Sequence, residues 1–115
     1  MSGRQEQLGN AAGERLQGEA LRAAMSGATI LCRTVYGDPC TIELLEDGRM
    51  LGRAGYANED CDTGRWWVDG ERWNRQWQQW AYGEPTAYFI VIEEDRIKWF
   101  AGAKRQVGSA MIRRA

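Results

Sequence analysis

An arginine set between two indoles is the arrangement in this chain best suited to chemistry. Between Glu71 and Trp80 tryptophan recurs at Trp73, Trp77 and Trp80 with Arg75 midway between the first two. Side chains alternate along a strand, so Trp73, Arg75, Trp77 and Gln79 share one face and Arg72, Asn74, Gln76, Gln78 and Trp80 the other. The second face is almost wholly polar, which makes it the solvent side. The first face then points inward and carries a guanidinium into a medium of low dielectric. A charge buried without a partner costs several kcal/mol, on the order of a whole domain's margin of stability. Arg75 therefore calls for an inward carboxylate that only fixes the register, or for an anionic or carbonyl-bearing ligand held by its fork of donors. A third option is a strand twist that carries Arg75 to the mouth of the interior.

Trp99 alternates with Ile97 against Lys98 and Phe100, and Tyr88 alternates with Ile90 and Ile92, so both are expected inside as well. The candidate ligand-binding set is Trp73, Arg75, Trp77, Tyr88 and Trp99. Six tryptophans in 115 residues make the chain tryptophan-rich. Indole offers a flat face for sugars, heterocycles or cations, and a small interior also needs bulky residues simply to fill it.

Other chemistries are restricted by what is missing. The chain has no histidine, which removes the usual general base, the partner of a nucleophilic Ser or Cys, and the commonest metal ligand. Cys32, Cys40 and Cys61 form no C-x-x-C pair, and their odd number, in a chain with no export signal, argues against a disulfide framework. A zinc site would need all three thiols to converge with a carboxylate. No cofactor and no metal are expected. Asp60 and Asp62 beside Cys61 are candidate acids in a long loop, where solvated carboxylates are the ordinary finding. Cys61 has no evident basic neighbour to activate it.

Fifteen Lys and Arg against sixteen Asp and Glu leave a net charge of −1, so no basic surface announces nucleic acid. No apolar run approaches the ~20 residues of a membrane helix, and residues 1–25 contain no signal-peptide core. A cytoplasmic location is the expectation, with no nucleic acid and no membrane as partner.

These residues need a scaffold. Residues 1–13, with three glycines and few large apolar side chains, read as a flexible tail, and residues 14–115 as a single domain. Leu16, Ala20, Leu21, Ala24 and Met25 recur at helical spacing, giving a firm helix from Glu19 to Met25 that stops at Ser26-Gly27. Beyond it, β-branched and aromatic segments recur at intervals of roughly ten residues. Expected strands run 29–36, 41–46, 49–54, 64–68, 71–80, 86–93, 96–101 and 106–114, with Asp47-Gly48 and Asp69-Gly70 as hairpin turns. The fold expected is all-β, an eight-stranded antiparallel up-and-down barrel with a short N-terminal helix, since every connection looks like a hairpin. A sandwich is the alternative closure. Tyr88 to Ile92 is apolar on both faces, so its outer face calls for cover by the helix or by a second subunit in a homodimer.

Gly64-x-Trp66 resembles the Gly-x-Trp signature of lipocalin-like and avidin-like barrels. The resemblance implies a binding fold in which this tryptophan plugs one end beneath an arginine of the last strand, Arg113 or Arg114. In those barrels the motif lies in the first strand, whereas here it lies in the fourth. A plain core tryptophan beside a glycine bend explains the same three residues. The expected function is binding of a small molecule in a tryptophan-lined interior, with Arg75 anchoring a polar or anionic group. The alternative is an enzyme without metal or histidine, a cyclase, isomerase or lyase, working through Tyr88 or an inward carboxylate.

Overall fold

Glycine tolerates the left-handed conformation that tight hairpins require, and the chain uses it at Gly48 (φ 95°) and Gly70 (φ 63°) to reverse direction where Asp-Gly turns were predicted. The computed structural model describes residues 14–102 and 104–114, and the predicted tail, 1–13, lies outside the described residues. A helix, α1 (Gly18–Met25), precedes eight strands: β1 (Thr29–Arg33), β2 (Pro39–Leu44), β3 (Arg49–Ala54), β4 (Asp60–Asp69), β5 (Arg72–Trp77), β6 (Thr86–Glu93), β7 (Arg96–Phe100) and β8 (Gln106–Arg113). All pairings are antiparallel and follow chain order, and β8 returns to β1, so the sheet closes into an up-and-down barrel. Closure leaves no unpaired sheet edge.

α1 closes one end. Its apolar stripe, Leu21, Ala24 and Met25, is buried, and Leu21 and Met25 are completely so. Burying each of them is worth about 1.5–3 kcal/mol. The amide N–H of Gly18 donates to the carbonyl of Gly70 at 2.8 Å and that of Gly27 to Leu44 at 2.8 Å, which fastens both ends of the helix to hairpin turns of that end. The helix therefore plugs the barrel end and leaves the outer face of β6 to other groups. There Arg15 and Arg72 stack on Phe89, 4.0 and 5.2 Å from its ring centroid.

The closed half of the interior is apolar and packed, with Ile30, Leu44, Met50, Trp73, Ile90 and Ile97 all but inaccessible. Trp66 is buried and its indole N–H donates to the Leu45 carbonyl at 2.9 Å, so it does plug this end. The arginine cover implied by the resemblance is absent. Arg113 lies opposite Thr29 and is exposed, as is Arg114, and it is a backbone carbonyl that satisfies the indole.

Several strands differ from expectation: β1 ends at Arg33 rather than at Tyr36, and β2 runs Pro39–Leu44 rather than 41–46. β4 begins at Asp60, so the long loop is shorter than predicted and both aspartates lie in a strand. β5 ends at Trp77, because the chain turns through Trp80–Gly83 with Ala81 and Tyr82 at φ 56° and 58°. Non-glycine residues enter that region at a cost of roughly 1–2 kcal/mol each.

Candidate functional site

The end opposite α1 is framed by the loops after β1, β3, β5 and β7. Inward positions near it carry polar groups, in contrast to the closed half. Register places Cys32 opposite Cys40, Cys40 opposite Ala54, and Ala54 opposite Asp60. Across the barrel, Arg75 is flanked by Trp66 and Thr86.

Arg75 points inward, as its phase along β5 requires. Its guanidinium carbon lies 5.3 Å from the Trp73 ring centroid and 5.4 Å from that of Tyr88, and those two rings are 6.4 Å apart. These three residues form one cluster. Among the described residues, Arg75 makes no ion pair and no hydrogen bond: the carboxylates that do pair go to Arg22, Arg49, Arg53 and Lys98. Two aromatic faces stabilise the cation but use none of its five donors. Beside it, the indole N–H of Trp73 is buried and also lacks an acceptor. Buried polar groups in folded proteins are nearly always satisfied, so an orphaned donor in the residue beside an unpaired guanidinium is exceptional.

The other two predicted residues lie apart from that cluster. Trp77 faces in beside Gly64 and Met50 and is buried. Trp99 faces in and lies over Gly108 so closely that a Cβ there would overlap its ring. Gln79, expected inside, is exposed because β5 has already ended.

Trp80, expected on the outer face, instead bends back over the mouth. Its ring lies 4.7 Å from that of Trp77, and its N–H donates to Asp60 Oδ1 at 3.1 Å. Asp62 holds the turn by accepting the amide N–H groups of Gln79 and Trp80, both at 2.9 Å. Desolvation pushes the Asp62 carboxyl upward, but the backbone donors of Trp80, Gln79, Thr63 and Gln78 outweigh it and hold the group below its ordinary value. Above Trp80 lies a cleft of about 630 Å³, lined in part by Thr34, Tyr36, Ala54, Asp60 and Ala81. That volume falls within the range of small-molecule sites.

Cys32 and Cys40 are the functional groups that sequence reasoning missed. Both are half-buried thiols at opposed inward positions, and Cys32 Sγ lies 3.6 Å from the Cys40 carbonyl. The Cys40 thiol is pulled below its ordinary value. The hydrogen bond from Cys32 lowers it, burial opposes this, Arg75 across the barrel lowers it further, and Asp60 acts against Arg75. Cys32 is pushed up, first because it donates to Cys40 and then by burial. The signal for this pair is the loop between β1 and β2: the two cysteines lie equally far from its central residue, Tyr36, so a symmetric hairpin must bring them together. Cys61 faces outward opposite Arg53 and is exposed. Among the described residues no cluster of three potential metal ligands occurs.

Compared with known proteins, the chain matches no family model, no curated protein and no solved structure.

Proposed function

We propose that the barrel binds a small molecule bearing a carboxylate or carbonyl group, with Arg75 as its anchor. The observation that carries this reading is the Arg75 guanidinium, half-buried and without a partner among the described residues, 5.3 Å from the ring of Trp73, whose buried indole N–H also lacks an acceptor. An acceptor-bearing group would engage both and supply the counter-charge that the described residues do not. Tyr88 adds a hydroxyl to the same cluster, and Trp77 and Trp99 contribute flat apolar wall, whereas the cleft at the mouth is lined by none of these five residues. The protein acts in the cytoplasm in this reading, without nucleic acid or membrane as partner, and the exposed residues of its outer wall are where a second copy would pair.

Titrating the protein with a panel of aromatic and aliphatic carboxylates, while following tryptophan fluorescence and thermal shift, tests the proposal. Saturable quenching by some of them is expected, weakened at least about tenfold in Arg75→Met, since a charge-assisted bond is worth about 1.5–3 kcal/mol. Binding that is equally tight in Arg75→Met, or no response to any carboxylate, would sink it.

A further inference from the structure

We propose that Cys32 and Cys40 form a reversible dithiol–disulfide couple inside the barrel, with Cys40 as the attacking sulfur, Cys32 as the resolving one, and a low-molecular-weight disulfide as oxidant. The argument is geometric first. The two residues are direct cross-strand partners on the inward face of the β1–β2 hairpin. Opposed residues of an antiparallel pair have Cα atoms about 4.5–5.5 Å apart, within the about 4.4–6.8 Å that a disulfide spans. The Cys32 sulfur already leans across to its partner, 3.6 Å from the Cys40 carbonyl oxygen. The register thus sets the two cysteines at a backbone separation that a disulfide can span.

The surroundings differentiate the two thiols. The neighbouring Cys32 thiol and the field of Arg75 favour the Cys40 thiolate, whereas Cys32, whose sulfur leans on the Cys40 carbonyl, keeps its proton. Only the thiolate attacks a disulfide. The Cys40 thiolate attacks one sulfur of the oxidant, the oxidant's S–S bond breaks, and one small thiolate leaves and takes up a proton. Cys32 then gives up its proton and attacks the Cys40 sulfur of the mixed disulfide, expelling the second small thiol. The protein dithiol is oxidised by two electrons and the disulfide is reduced to two thiols. Cys61 cannot enter the exchange within the chain, because it faces the opposite side of the sheet from Cys40. The couple stands independently of any ligand at Arg75.

The test uses the full chain carrying Cys61→Ser, treated with oxidised glutathione at neutral pH, quenched with N-ethylmaleimide in denaturant and weighed by mass spectrometry. Loss of both alkylation sites without a retained glutathione is expected, reversed by dithiothreitol. Adding Cys32→Ser, whose hydroxyl can still donate to Cys40, should trap glutathione on Cys40, and adding Cys40→Ser instead should slow adduct formation at Cys32 at least about tenfold. Should either serine variant fail to fold, peptide mapping of the Cys61→Ser protein after brief labelling with iodoacetamide replaces it, and Cys40 must carry the label before Cys32. Glutathione retained on both cysteines, no oxidation at all, or equal labelling of the two thiols overturns the proposal.

Discussion

Trp80 packs against Trp77 with ring centroids 4.7 Å apart and planes inclined by 54°. The two indoles are three residues apart in sequence, yet only Trp77 belongs to the strand. The turn that follows β5 carries Trp80 back over the mouth, where Asp60 and Asp62 hold it. This contact needs the space that Gly52 leaves, since a Cβ there would lie 2.7 Å from Trp77 Cη2 and 2.8 Å from Trp80 Cη2.

Gly52→Ala should therefore expel Trp80 from the mouth. Overpacking of a buried site costs about 1–3 kcal/mol, and denaturant unfolding should report a loss of that size together with a red-shifted tryptophan emission. An unchanged spectrum would show that Trp80 is not held there.

Asp62 contributes through its ionised form. Its folded value lies below the ordinary one, so the stability it adds is present above the unfolded pKa and is lost as pH falls through the folded pKa. Asp62→Asn should be less stable than the parent at pH 7, by about 1 kcal/mol if the site behaves like a helix cap. Thermal melts should show the gap narrowing below about pH 4, where the unfolded-state carboxyl begins to protonate. A gap that persists unchanged into strong acid would contradict this.

Two buried tryptophans should respond differently to loss of the indole N–H. Trp66→Phe removes the bond from the indole to the Leu45 carbonyl, and since that carbonyl keeps the Gly48 N–H as a donor at 3.0 Å, the loss should be that of one ordinary hydrogen bond, about 0.5–1.5 kcal/mol. Trp73→Phe removes a donor that has no acceptor, so it should cost less by roughly that amount. Chemical denaturation of both variants checks the order.

Leu21→Ala tests the plug. A fully buried leucine lost from the helix should cost about 2–5 kcal/mol, and amide exchange should quicken first near the Gly18–Gly70 and Gly27–Leu44 hydrogen bonds.

Cys40 should titrate unusually low. Its thiol is brought from 9.0 down to about 7, so iodoacetamide labelling at Cys40 should reach half its maximum near that pH. Arg75→Met, which removes a lowering charge, should move the midpoint up, and Asp60→Asn, which removes an opposing one, should move it down. Midpoints that ignore both changes would exclude the proposed field.

Much of the fold was legible because it rests on local patterns. Turn residues and alternation located the eight strands, and Trp73, Arg75, Trp77, Tyr88 and Trp99 all face inward as their phase predicts. Alternation fails where the strand itself ends: it has no means of announcing that β5 stops at Trp77, and so it sent Trp80 to the outer face and Gln79 inward. The thiol pair was illegible for a related reason. Starting the second strand at residue 41 left Cys40 in a turn, although β2 begins at Pro39, where the missing amide donor makes proline read as a strand breaker. The helix was found, but its docking on the barrel end depends on backbone hydrogen bonds that leave no trace in residue type.

The closure of β8 onto β1 bears on how the barrel comes together in time. Every other strand pairing joins neighbours in the chain, whereas Thr29 meets Arg113 and Leu31 meets Met111 only after the whole sheet lies between them. Contacts so distant in sequence carry the largest loop-closure penalty and slow folding the most. The β1–β8 seam should be the last to zip during refolding and the first to part under stress. A kinetic intermediate of this protein would then be a curled, open meander whose two exposed strand edges can meet those of another copy before they meet each other.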